Sequence, residues 1–146
     1  MIAVASDHAG YEHKQSVLKH LIERGYNAKD CGTYSTESCD YPDFALTLCK
    51  EVAAGRAEFG ILICGTGIGM SMAANKVKGI RCALVSNTFG AEMTRKHNDA
   101  NVLALGARIT PIKDALEFID IFLSTPFEGG RHQKRVDKLN ALDDCE

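Results

Sequence analysis

The chain carries no excess of charge of either sign: 17 Lys and Arg stand against 19 Asp and Glu, a formal net charge of −2. A nucleic-acid binder is expected to show a basic excess, so none is predicted as a partner. It has no acidic, aromatic-poor composition of the kind that keeps a chain disordered. It has no long hydrophobic run, since stretches such as Gly60–Cys64 fall far short of the ~20 residues a membrane span needs. No basic segment or cleavage site precedes Ile2-Ala3-Val4-Ala5, so no secretory signal is expected. The six cysteines, at 31, 39, 49, 64, 82 and 145, lack C-x-x-C and zinc-finger spacing. Their share, about 4%, lies below the ~8–10% of a disulfide scaffold. These features predict a cytoplasmic protein with reduced thiols, most of them small buried hydrophobes. Low-complexity linkers and internal repeats are also missing. A chain of 146 residues is therefore read as one domain, 1–146.

What is present is an alternation of β-rich runs with helical patterns. Strands are predicted at Ile2–Ser6, Tyr26–Asp30, Phe59–Cys64, Arg81–Ser86 and Asn101–Leu105. Helices are predicted over 11–24, from Pro42 to Ala54, over 70–77, over 88–98, from Pro111, and over 130–142. Val17, Leu18, Leu21 and Ile22 mark the buried face of the first, and Ile112, Leu116, Ile119 and Leu123 that of the fifth. Glycines 25 and 55 close the first two. This order predicts an α/β fold, three-layer and doubly wound, with a five-stranded, mostly parallel sheet. Ligands of such sheets bind beyond the carboxyl ends of the strands, which directs attention to 7–10, 31–41, 64–69 and 86–90.

Cys64-Gly65-Thr66-Gly67-Ile68-Gly69 joins the third strand to a helix. Three alternate glycines uncover backbone N–H groups, which can form an anion-binding concavity. A cysteine at its edge shares that field, which favours a thiolate. The alternative is a tight turn whose glycines only permit close packing. The spacing is neither the dinucleotide fingerprint nor a nucleotide P-loop. Asp7-His8 follows the first strand, where His8 could meet sugar hydroxyls or Asp7 could simply cap the first helix. Arg131 and Arg135 share a helical face as a phosphate clamp or as part of a solvated basic face with Lys134 and Lys138. His97-Asn98 ends a helix, where the macrodipole and a left-handed Asn cap would explain both. His13 and His20 are expected on a solvated face.

Taken together, five segments resemble the family of ribose-5-phosphate isomerase B and bacterial galactose-6-phosphate isomerases. They are Ser6–Gly10, Asp40–Asp43, Ile63–Lys76 (ICGTGIGMSMAANK), Arg95–Asp99 and Phe127–Val136 (FEGGRHQKRV), in the family's order and without departure at its functional positions. The resemblance implies a Rossmann-like fold and cofactor-free, metal-free aldose–ketose isomerisation of a sugar phosphate through ring opening and a cis-enediolate. It implies Cys64 as the base between C2 and C1, Thr66 assisting, and Gly65, Gly67, Ile68 and Gly69 around the enediolate. Asp7, His8 and Tyr41 would contact substrate, His97 would open the ring and Asn98 would hold the reacting oxygens. Arg131 and Arg135, on the C-terminal helix, would take phosphate, with Arg108 a further ligand contact. The expected reaction interconverts ribose 5-phosphate and ribulose 5-phosphate in the non-oxidative pentose phosphate branch. A galactose- or allose-6-phosphate isomerase, a non-catalytic sugar-phosphate sensor and a thiol-redox protein are the alternatives.

Topology adds a constraint. His97 precedes the fifth strand and Cys64 ends the third, so they belong to opposite edges of a parallel sheet, roughly 17–20 Å apart. Acting on one sugar requires a second subunit or a long excursion of the 95–101 turn. The expectation is a homodimer with shared active sites, alone or within a tetramer.

Overall fold

The computed structural model describes residues 1–145. β1 (Ile2–Ser6), α1 (Tyr11–Glu23), β2 (Ala28–Asp30), α2 (Tyr41–Ala53), β3 (Phe59–Cys64) and α3 (Ile68–Ala74) form the first half. β4 (Cys82–Leu84), α4 (Thr88–Asn98), β5 (Val102–Gly106), α5 (Ile112–Ser124), α6 (Arg131–Ala141) and a 3-10 turn at Leu142–Asp144 complete it. The sheet order is β2-β1-β3-β5-β4 and every pairing is parallel. Chain order reverses between β1 and β3, which opens a crevice beyond their carboxyl ends.

The side-chain alternation of each central strand feeds two cores. Ile61 and Ile63 face α1 and α5 with Val4, Val17, Leu21, Leu103, Ile119 and Phe122. Leu62 and Cys64 face α2 and α3 with Ala5, Leu48, Cys49, Met70 and Ala104. Cys64 thus ends β3 on the side where α2 and α3 begin.

The edge strands are shorter than their patterns suggested. β2 and β4 keep three residues each, since one lateral neighbour gives fewer ladder bonds. Helix faces also rotate. Ile22 is 65% exposed, while the buried stripe of α5 runs through Ala115, Phe118, Ile119 and Phe122, with Ile112, Leu116 and Leu123 at its margins. His13 and His20 are not simply solvated. His13 Nε2 lies 2.9 Å from Thr110 O, and His20 Nε2 lies 2.8 Å from Asp120 Oδ1 on α5. Among the cysteines, 31, 49 and 64 are buried, 39 and 82 half-buried, and 145 exposed.

Candidate active site

Two clefts gather the candidate residues. The first, about 410 Å³, lies at the carboxyl edge of the sheet and is lined by Asp7, Tyr41, Cys64, Gly65, Thr66, Ile68, Gly69, Met72 and Arg108. Its floor is the turn from β3 into α3. Gly67 adopts φ +78°, and a Cβ there would meet Leu105 backbone carbon at 2.9 Å and Leu84 Cδ1 at 2.6 Å. Only glycine fits that conformation and that gap. Gly67 therefore turns inward, away from the cleft lining, and donates its N–H to Cys64 Sγ at 3.1 Å.

The outer glycines make room for side chains arriving from elsewhere. A Cβ on Gly69 would sit 2.6 Å from the Tyr41 ring, and one on Gly65 would sit 3.1 Å from Arg108 Nη1. The 106–110 turn is itself laced to the loop, through Ala107 N–H to Cys64 O and Arg108 N–H to Gly65 O. Ile68 N–H is donated to Thr66 Oγ1 at 3.3 Å. Among the described residues, the N–H groups of Gly65, Thr66 and Gly69 have no side-chain acceptor.

Asp7 does not cap α1, whose N-cap is Gly10 without a side-chain bond; it closes the turn before the helix. Its Oδ1 accepts from Ala9 and Gly10 N–H at 3.0 and 3.1 Å, which fixes the carboxylate at the cleft wall. His8 stands outside the lining. Its Nδ1 accepts Cys39 N–H at 3.2 Å, leaving the ring proton of the neutral form on Nε2. Cys39 Sγ is 3.8 Å from the same nitrogen. Burial pushes the Cys31 and Cys82 thiols up and that of Cys49 up to about 12, so these three stay protonated and inert.

The second cleft, about 450 Å³, is lined by His97, Asn98, Arg131, His132, Arg135, Val136 and Leu139. α6 packs against α4 there. The end of α4 is anchored by Arg95, which is 7% exposed and donates to Asp99 Oδ1 at 2.9 Å, Ala100 O at 2.6 Å and Thr125 O at 3.2 Å. Asp99, not Asn98, takes the left-handed position with φ 47°. A left-handed Asp there closes the helix, and Asn98 remains its last exposed helical residue. His132 is a residue that the sequence did not single out. It is buried, and its ring stacks on His97 with centroids 4.3 Å apart and planes at 17°. Burial, then the neighbouring His97 and Arg131, holds the His132 imidazole below its usual range.

The two clefts share no lining residue. Gly60 pairs with Val102 and Cys64 with Gly106, so the sheet edges differ by a four-residue rise, about 13 Å at 3.3 Å per residue. The 95–101 turn makes no excursion. Asp99 N–H returns to Arg95 O and Ala100 N–H to Thr94 O.

One group of metal-type donors is drawn together. His97, Glu128 and His132 each offer a ligand atom within 4.8 Å of the others. The Glu-x-x-x-His spacing of 128 and 132 was visible in the sequence. That spacing alone does not mark the group, because Glu128 precedes α6 and the third member is 31 residues upstream.

Comparisons with known proteins agree with this architecture. A ribose-5-phosphate isomerase B from Clostridium thermocellum superposes with a TM-score of 0.96 at 48% identity, covering 97% of this chain and 96% of its own. The Mycoplasma genitalium ribose-5-phosphate isomerase B, solved with ribulose 5-phosphate bound, gives a TM-score of 0.95 at 42% identity over 99% and 97%. In sequence, the ribose-5-phosphate isomerase B of Escherichia coli is 45% identical over 142 residues, 97% of this chain and 95% of that one. The Ribose/Galactose Isomerase family profile matches residues 2–139, and the chain belongs to that family.

Proposed function

We propose that this protein interconverts ribose 5-phosphate and ribulose 5-phosphate by a cysteine-based, cofactor-independent proton transfer, as a step of pentose phosphate metabolism in the cytoplasm. One observation carries the reading: a cysteine sulfur that accepts a backbone N–H at the rim of a cleft flanked by Asp7, Thr66 and Arg108. A proton α to a carbonyl is a poor acid, so a base alone does not suffice. The developing enediolate oxygen needs donors, each typically worth about 2.7–4 kcal/mol. The N–H groups of Gly65, Thr66 and Gly69 and the Thr66 hydroxyl are the candidates at this rim. The Gly67 N–H favours negative charge on Cys64 sulfur, the form that removes the proton. Ile68 and the Tyr41 ring against Gly69 close the cleft around the carbon chain. Asp7 and the Nε2–H of His8 would take the sugar hydroxyls.

Ring opening falls to His97 and phosphate binding to Arg131 and Arg135, with Asn98 beside them and Arg108 as a further contact. Remote phosphate contacts hold C1 and C2 against the base. Because the clefts lie at opposite edges of the sheet, His97 and the α6 arginines reach Cys64 from a second copy, so we infer a two-fold dimer. Exposed apolar side chains support this: Met72, 64% exposed, and Ile68 line the Cys64 cleft, and Phe89, 70% exposed, Leu84 and Ile109 are also outward, following or ending strands whose carboxyl ends lie at that edge. Such a surface suits a self-complementary interface.

The test is ribulose 5-phosphate formation from ribose 5-phosphate in chelator, for wild type and Cys64→Ala. A loss of about 100-fold or more in the variant, roughly 2.7 kcal/mol of barrier, is expected. Full turnover by the variant would discard Cys64 as base. A second reading, a galactose-6-phosphate isomerase, is favoured by the breadth of the matching family, which spans ribose and galactose enzymes. Steady-state comparison of the two sugar phosphates separates them, with the higher kcat/KM expected on the pentose.

A further inference from the structure

We propose that Lys14 and Asp30 form a buried positioning pair that sets the 32–41 segment against the Cys64 cleft, and with it two of the substrate contacts assigned above, His8 and Tyr41. Lys14 is fully buried, and its Nζ donates to Asp30 Oδ1 at 2.6 Å. The Tyr11 and Tyr34 rings flank the ammonium, with centroids 5.4 and 5.2 Å away. Neither Lys14 nor Asp30 lines either of the two clefts, so the pair can act on substrate only through other residues. Burying an ammonium is expensive, and well-packed apolar side chains often replace a buried ion pair without loss of stability. Stability alone therefore does not account for a lysine at this place.

A short chain of contacts runs from the ammonium to the cleft wall. Asp30 Oδ1, held by Lys14, also accepts Gly32 N–H at 2.9 Å, which sets the chain as it leaves β2. Gly32 and Thr33 then bracket Ser6, the residue before Asp7. Gly32 O accepts Ser6 N–H, and Thr33 N–H is donated to Ser6 O, each at 2.7 Å. Gly32 also lies so close to the Phe44 ring that an added Cβ would come within 2.7 Å of it. Phe44 is in the first turn of α2, three residues after Tyr41, whose ring packs on Gly69 in the cleft. Cys39, two residues before α2, gives His8 Nδ1 the N–H that fixes the neutral ring with its proton on Nε2. Residues 34–38 between these anchors are exposed, with only local bonds among the described residues, from Tyr34 Oη to Asp30 O and from Glu37 N–H to Ser35 Oγ. Gly32 against Phe44 is thus the contact that ties this end of α2 to Asp30.

The kinetic consequence rests on the isomerase reading, since His8 and Tyr41 are substrate contacts only there. Without the ammonium, Asp30 is free to turn to solvent, its side chain being 29% exposed, and Gly32 N–H loses its acceptor. The first turn of α2 then shifts and the Cys39 N–H leaves His8. Nε2 no longer presents a fixed proton to a sugar hydroxyl. Cys64 and its glycine loop are tied to the 106–110 turn instead and stay in place. The signature is weaker substrate binding with the proton-transfer step little changed.

The experiment compares the full chain as wild type and Lys14→Met, by nitrogen NMR of isotope-labelled histidine and by steady-state kinetics on ribose 5-phosphate. In wild type, His8 is expected as the Nε2–H tautomer with Nδ1 as acceptor. In Lys14→Met, both tautomers of its neutral ring should appear. KM should rise about tenfold, the scale of one lost hydrogen bond, with kcat far less affected. His8→Ala combined with Lys14→Met should raise KM by less than the product of the single effects, since both act partly through one imidazole. Should Lys14→Met fold poorly with Asp30 left unpaired, Lys14→Met/Asp30→Leu removes both charges and is held to the same outcomes. An unchanged His8 tautomer in a folded variant would overturn the proposal, whatever the kinetics. So would an unchanged KM beside a lowered urea midpoint, the mark of a merely structural pair. A changed tautomer in a protein without isomerase turnover would support the pair and defeat the isomerase reading alone.

Discussion

Two glycines in the same loop separate backbone necessity from room for a neighbour. Gly67 combines φ +78° with backbone at 2.9 Å from any added Cβ, whereas Gly69 meets only the Tyr41 ring. Gly67→Ala is expected to destabilise the protein by about 1–3 kcal/mol in urea titration. In Gly69→Ala the helix-propensity gain of about 1 kcal/mol offsets displacement of the ring, so stability should hold while KM rises. The cysteines divide similarly. Iodoacetamide at pH 7.5, followed by peptide mass spectrometry, should label Cys145 and Cys39 readily and spare Cys31, Cys49 and Cys82, whose thiols burial holds protonated. At this scale the glycine loop was legible, because a buried strand, alternate glycines and a short helix are contiguous. His20 and His13 were not, since their partners lie 100 and 97 residues away. The stack of His97 on His132 was hidden for the same reason.

Elements were legible where the strand is central. β3 matches its predicted span residue for residue, being buried on both faces. β2 lost Tyr26 and Asn27, both exposed, because an edge strand has only β1 to pair with. The end of α4 depends on a single buried guanidinium, which also lies 4.8 Å from the Phe59 ring centroid. Arg95→Met removes the donor to two carbonyls and to Asp99, and is expected to cost about 3 kcal/mol of stability. Urea midpoints would show it. A change under about 0.5 kcal/mol, the scale of ordinary surface substitutions, would mean that Arg95 does not anchor this turn.

For the whole molecule, the separation of the clefts makes catalysis a property of a pair of chains on the isomerase reading. Inactive Cys64→Ala and His97→Ala proteins, mixed under conditions of subunit exchange, should recover activity, since each mixed dimer holds one intact composite site. With random exchange, half the dimers are mixed and carry one site of two, so recovery should approach a quarter of wild type. Absence of recovery with exchange shown by mass would place both residues in one chain's site. The sheet order carries another consequence. β3 is flanked by β1 and β5, so the loop that ends it opens only when the molecule unfolds. α6 packs against α4 and the terminal 3-10 turn, outside both cores, and can loosen at lower cost. On the isomerase reading, the sugar's reacting carbons are thus assigned to the stiffest part of the fold and its phosphate to a more pliant one. A product would then leave as α6 yields, while the base and its donors stay in register for the next turnover.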